Sequence, residues 1–284
     1  INVVLNYMFI FGKFGAPAME VVGAAVDTLV SRVVMVIYLW FLLYSKEQSK
    51  AFVTHIKLFT LSKKMLSKVF NLGFPSALQM FFEVAIFTAA IWLSGVLGKN
   101  PQAANQIALN LSSMTFMVAM GFGVAAMVRV GNQKGLKRFD ELRRIAFSIF
   151  LLSTILAVIF AILFFIFHQS LPSLYLNYDN PIEALDNLEV ATTAATLLLI
   201  AAVFQISDTI QVVTLGALRG MQDVKLPTLI TFVAYWVVGF PVMYYLGLHT
   251  SYGSAGIWIG LLAGLTVYGV LLSWRFHVLS EELI

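Results

Sequence analysis

Residues 73–98, GFPSALQMFFEVAIFTAAIWLSGVLG, hold a single charged side chain, Glu83, in an otherwise apolar run. The hydrocarbon core of a bilayer is about 30 Å thick and takes about 20 apolar residues in helical form. The stretch is therefore read as a transmembrane helix, and the rest of the chain repeats it. Further spans are expected at 18–45, 103–128, 145–168, 190–218, 226–247 and 254–278, with residues 1–12 as the tail of another. Turn chemistry separates them: Gly12 to Pro17, Gly98 to Pro101, Pro172 to Pro181, Gly220 to Pro227, and Gly247 to Gly253. Composition agrees. Hydrophobic residues make up 60% and charged residues 11% of the 284, with a mean hydropathy of +0.88. A soluble domain is nearer half apolar and one quarter charged. The expected fold class is an all-α polytopic membrane bundle of about eight helices.

Charge placement tests that count. All but three of the 18 Lys and Arg residues fall on one side if the helices alternate in direction. Lys46, Lys50, Lys57, Lys63, Lys64 and Lys68 fill one loop, and Arg129, Lys134, Lys137, Arg138, Arg143 and Arg144 another. Arg219, Lys225 and Arg275 complete that side, whereas Lys13 and Lys99 lie opposite and Arg32 lies inside a span. The opposite side carries the acidic loop with Asp179, Glu183, Asp186 and Glu189. By the positive-inside rule the basic loops are cytosolic. The net charge of +4 thus reflects topology rather than a nucleic-acid partner.

With no cysteine, disulfides and Cys-based metal sites are excluded. No secretory signal is visible, and a chain opening on Ile1 in an apolar run is expected to be a fragment that starts within a membrane helix. Residues 46–72 form a long basic connection with Phe52, Ile56, Phe59, Leu66 and Phe70 among its lysines. Such a segment suits a helix on an anionic leaflet, a tether between lobes, or a solvated linker.

Ionised groups at mid-bilayer cost about 2.5–3.5 kcal/mol or more, so those present need a reason. Asp27, Arg32, Glu83 and Asp208 qualify. Glu83 follows Gly73 and Asp208 precedes Arg219 by similar stretches, about 15 Å of helix each, which brings two antiparallel spans to equal depth. Ser76, Gln79 and Glu83 share one helical face, as do Phe204, Asp208 and Gln211, and Gln106, Asn110 and Ser113. A shared polar cavity is expected, where paired carboxylates share a proton or hold a cation. The plain alternative is protonated acids bonding neighbouring helices. Asp27 and Arg32 are five residues apart and face differently. Arg32 reads as a packing or snorkelling residue, and Asp27 as lining a cavity or pairing with an absent helix. His55, His168, His249 and His277 lie in loops or near span ends without metal-ligand spacing. Small residues in MGFGVAAMVRVGNQKG (120–135) favour close helix approach. Pro75 is expected in a first helical turn, and Pro241 to kink or break its span.

Several stretches together resemble one family. LNYMFIFGKFGAPAMEVVGAAVDTLVSR (5–32), GFPSALQMFFE (73–83), MGFGVAAMVRVGNQKG and DTIQVVTLGALRGMQDVKLPT (208–228) are similar, in order, to parts of the fifth to eleventh helices of multidrug and toxic compound extrusion (MATE) transporters, NorM-like bacterial branch. The resemblance implies twelve helices in two six-helix lobes. Residues 1–45 would end the N-terminal lobe, 46–72 would link the lobes, and 73–284 would be a complete second lobe. It also implies Na⁺ or H⁺ antiport against drug-like, often cationic, organic compounds in a bacterial inner membrane, with no cofactor. Glu83 and Asp208 match the family's cation-site acids, the ligands of a sodium ion if the coupling is to Na⁺. Gln79, Phe82, Gln106, Asn110, Phe204 and Gln211 would line the substrate cavity, with Met80 and Phe81 beside them, and Asp27 is a further candidate. Phe204 stands where some relatives have an aromatic hydroxyl, and Asp27 where a small residue is usual.

Two other readings compete. A flippase for lipid-linked precursors would want a cationic cavity, and the one cation within a span is Arg32. An intramembrane aspartyl enzyme could pair Asp27 with Asp208, without any supporting motif. Neither matches the residues as well as an exporter, so no catalysis is expected.

Overall fold

The computed structural model describes residues 2–15, 17–45, 62–176 and 184–283. Phe52, Ile56, Phe59, His55, Lys46, Lys50, Lys57, Asp179, Pro181 and Glu183 lie outside them. The described residues are helical almost throughout. The helices are α1 (Asn2–Phe11), α2 (Glu20–Ser45), α3 (Lys63–Leu97), α4 (Lys99–Gly135), α5 (Phe139–Phe167), α6 (Ala184–Gly220), α7 (Lys225–Leu248) and α8 (Gly253–Glu281). Among the described residues seven of these are long and apolar enough to cross a membrane, and α1 is a shorter apolar helix. In hydrocarbon only a helix bonds all of its own backbone groups, which is why uniformly apolar runs fold this way.

Each expected span contains a helix, and α3 to α8 each overrun the expected span at one end or both. α3 begins at Lys63, so residues 63–72 of the expected linker are its first turns and Pro75 lies well inside it. That corrects the expectation of a first-turn proline. The Pro75 carbonyl accepts a hydrogen bond from Thr228 Oγ1 at 2.9 Å, tying α3 to α7. α7 runs unbroken past Pro241, with π-helical winding over Val233–Gly239 just ahead of it. There the Phe240 N–H bonds the Tyr235 carbonyl, five residues back. The helix is thus not broken at Pro241, and the irregularity expected there takes the form of a wide turn with one extra residue.

The chain divides into two compact units, Ile1–Lys63 and Lys64–Ile284. In the first, α1 packs on α2, with the backbone of Phe9 against Gly23. In the second, α6 is the centre, and α4, α5 and α8 pack around it. The core runs through Phe87, Phe204 and Trp258, whose rings meet edge to face at 6.2 and 5.5 Å. Trp258 Nε1 donates to Asn105 Oδ1 at 2.9 Å. α5 turns a dense apolar face outward, including Leu151, Ile155, Ile159, Ile162 and Ile166, as a lipid-facing helix does.

Glycines set the tightest contact. Gly216 and Gly220 of α6 lie against the backbone of Gly123, Met127 and Gly131 of α4, where an added Cβ would strike carbonyl oxygens. Spacing of four on α6 and on α4 brings one row of each helix together, as the small residues of 120–135 lead one to expect. α4 and α6 end alike. The Arg138 N–H bonds the Gln133 carbonyl and the Asp223 N–H bonds the Leu218 carbonyl, with Lys137 (φ 56°) and Gln222 (φ 62°) in left-handed conformation between. These are Schellman closures with a residue other than glycine at the turning position. Arg275 of α8 then pairs with Asp223 at 2.6 Å and fastens the α6–α7 turn.

Candidate functional site

Beside that glycine contact, α3, α4 and α6 line a cavity of about 430 Å³, to whose wall Gly123 and Gly216 also contribute. Its wall is mainly apolar: Met80, Phe87, Leu109, Phe116, Met120, Phe204 and Leu215 contribute to it. Into it project Glu83 from α3 and Asp208 from α6. The two acids that stand out in the sequence therefore share one chamber. Asp208 is buried and Glu83 is half-buried.

Other polar groups converge there. Ser112, Ser113 and Gln211 line the same wall, and neither Ser112 Oγ nor the Gln211 amide makes a hydrogen bond of normal geometry. A dehydrated cation seeks such oxygens. Two carboxylates with the Ser112 and Gln211 oxygens are donors of the kind a hard cation takes, and either carboxylate can carry a proton. Phe204 lines the chamber but its ring supplies no oxygen. Among the described residues no three His, Asp or Glu side chains cluster as a metal site.

Arg219 is the residue that sequence reasoning missed. It reads as an interfacial anchor at the end of a span, yet its side chain reaches into the cavity. Nη2 donates to Gln79 Oε1 at 2.9 Å. Gln79 is wholly buried, and its Nε2 donates to Tyr268 OH at 2.8 Å and Thr231 Oγ1 at 3.2 Å. The hydroxyls of Thr231 and Tyr268 are 2.7 Å apart, and the Tyr235 and Tyr268 rings meet at 5.2 Å. Gln79 therefore supports the wall from behind and does not line it.

The remaining expected residues lie elsewhere. Phe82 packs against Phe232 with ring centres 5.2 Å apart, and Phe81 is exposed. Gln106 and Asn110 are exposed on α4, Asn110 accepting from Tyr175 OH at 3.0 Å. One position of helical phase separates expectation from structure there: Asn105, not Gln106, turns into the core. Asp27 is buried in the first unit, where Asn2 Nδ2 donates to Oδ2 at 2.6 Å and Ser31 Oγ to Oδ1 at 3.2 Å. Its partners in this chain are thus on α1 and on its own helix. Arg32 is exposed.

The sequence profile of the MatE family matches residues 75–245, which include both acids and Arg219. The chain belongs to the MatE family. This MatE chain is 37% identical to the multidrug resistance protein NorM of Aliivibrio fischeri over 289 residues, covering 99% of the chain and 60% of that protein. It is likewise 37% identical to the multidrug resistance protein MdtK of Yersinia enterocolitica, covering 99% of the chain and 61% of the relative. The fold matches the crystal structure of the eukaryotic MATE transporter AtDTX14 with a TM-score of 0.79 at 21% identity, covering the whole chain and 62% of that structure. An outward-facing multidrug resistance MATE transporter matches with a TM-score of 0.81 at 18% identity. The MatE chain thus spans about 60% of the length of the relatives it matches.

Proposed function

We propose that the full-length protein bearing this chain is a secondary active multidrug exporter that exchanges Na⁺ or H⁺ for drug-like, often cationic, organic compounds. The observation that carries the reading is the meeting of Glu83 and Asp208, from two antiparallel helices, in one largely apolar chamber. Relatives named for multidrug resistance support it. Residues 1–45 then close the N-terminal lobe, 46–72 link the lobes, and 73–284 form the C-terminal lobe. The protein sits in the bacterial inner membrane with its basic loops cytosolic, and it performs no catalysis.

In this mechanism the ionised carboxylates attract a cationic aromatic compound to a wall of Met80, Phe87 and Phe204, where sulfur and ring faces suit it. Entry of the coupling cation cancels one of the two negative charges and lowers the affinity for the compound. Coupling is reciprocal: whatever the ion costs the drug in binding, the drug costs the ion. A flippase for anionic lipid precursors gains one point from Arg219, which replaces Arg32 as the cation of interest. One guanidinium facing two carboxylates still disfavours an anionic headgroup.

The test is dye efflux from vesicles carrying the full-length protein, with Na⁺ and proton gradients imposed separately. Glu83→Gln and Asp208→Asn should each abolish gradient-driven efflux at normal expression. Efflux of both variants at the normal rate would refute the mechanism.

A further inference from the structure

Arg219 has no role in the scheme above, and its surroundings give it one. Its guanidinium reaches the chamber that holds Glu83 and Asp208, yet its contact there is the neutral amide oxygen of Gln79 at 2.9 Å. Its Nε is buried and makes no hydrogen bond. Gln79 stands one helical turn before Glu83 on α3, so their side chains share a face. Tyr268 and Thr231 hold the Gln79 amide from the other side and make it a fixed perch.

A guanidinium with a spare buried donor prefers a carboxylate to an amide, because the carboxylate adds the attraction of an opposite charge and two acceptor oxygens that match the guanidinium fork. What decides between the two is the state of Glu83. Neutralised by a proton or engaged by a metal cation, Glu83 is a poor partner, and Arg219 rests on Gln79. Ionised and empty, Glu83 is the better partner, and a long flexible stem needs only to move one helical turn.

We propose that Arg219 is a built-in competitor of the coupling cation: it takes Glu83 when the ion leaves and withdraws to Gln79 when the ion binds. The inference rests on the antiport reading and deepens it. The ion does not depart from a bare carboxylate, so release avoids the cost of a lone buried charge. The other titratable groups turned toward this cluster are Asp208 from α6, Tyr235 from α7 and Tyr268 from α8, while α4 offers the hydroxyls of Ser112 and Ser113.

Competition has a signed signature, since the apparent affinity for the ion falls with the fraction of Glu83 that Arg219 holds. In the full-length protein reconstituted in liposomes, efflux of a fluorescent cationic dye is titrated with Na⁺ at fixed pH and with protons at low Na⁺. Arg219→Gln removes the competitor, and the half-saturating concentration of the coupling ion should fall by about fivefold or more, the lower end of ordinary coupling between sites. Gln79→Leu removes the perch, and the same quantity should rise. Arg219→Lys keeps the charge and should stay near the parent value. Opposite shifts in the first two variants support the proposal. An unchanged midpoint in Arg219→Gln overturns it and leaves the antiport reading standing, provided Glu83→Gln is inactive. Normal efflux in Glu83→Gln refutes the antiport reading itself. If Arg219→Gln does not reach the membrane, Gln79→Leu decides alone, and a midpoint that is unchanged or lowered overturns the proposal.

Discussion

The turning residues of the two Schellman closures are a glutamine and a lysine, held at φ 62° and 56°. Left-handed backbone costs a side chain about 1–2 kcal/mol relative to the right-handed form, which glycine avoids. Gln222→Gly should therefore raise stability by about 0.5–1 kcal/mol after glycine's extra freedom in the unfolded chain is subtracted. The check is the temperature at which half of the detergent-solubilised protein loses its monodisperse chromatographic peak. At this scale the sequence was partly legible. Glu83 and Asp208 are conspicuous because a charge in an apolar run has no cheap explanation. Arg219 is not conspicuous, because at a span's end an arginine reads as an anchor and only the fold shows that its stem points inward. Thr231 and Tyr268 are neutral and join Gln79 across separations of 152 and 189 residues, so no local pattern announces them.

Among elements, the α4–α6 contact is the most demanding. An alanine at Gly216 would place its Cβ against the Gly123 carbonyl, a backbone atom that cannot swing aside. Gly121, two residues earlier on α4, has open space around it. Gly216→Ala should destabilise by about 1–3 kcal/mol through overpacking, whereas Gly121→Ala should be neutral or stabilise by up to about 1 kcal/mol through helix propensity. The same detergent melting assay separates them, and equal effects would show that the close contact is not formed. The small-residue pattern made this contact legible in outline. The span ends were less so: hydropathy registers what lies in oil, and α3 already begins at Lys63, ahead of the apolar run that opens at Gly73. The π turn before Pro241 is equally invisible to hydropathy, which sees a proline but not how the neighbouring turn widens to accept it.

For the whole molecule, the prediction concerns sidedness. These 284 residues contain no cysteine, so a single thiol introduced among them has no competitor within this part of the protein, and the parent protein serves as the background control. Ser67→Cys and Leu136→Cys should react with an impermeant maleimide only after the cytosolic face is opened, and Tyr175→Cys and Tyr252→Cys should react in intact cells. Reversed labelling would invert the orientation. The number and order of the helices were legible because alternation of spans and segregation of charge check each other: one span too many or too few would have scattered the lysines across both faces. One further consequence follows from the glycine rows. Where backbone rides directly on backbone, no compressible side chains lie between to act as a bearing, and sliding would lift carbonyls out of their notches all along the seam. α4 and α6 are therefore held together as one plank along this seam. Asp208 rides on that plank, whereas Glu83 belongs to α3, whose glycines meet no neighbouring backbone.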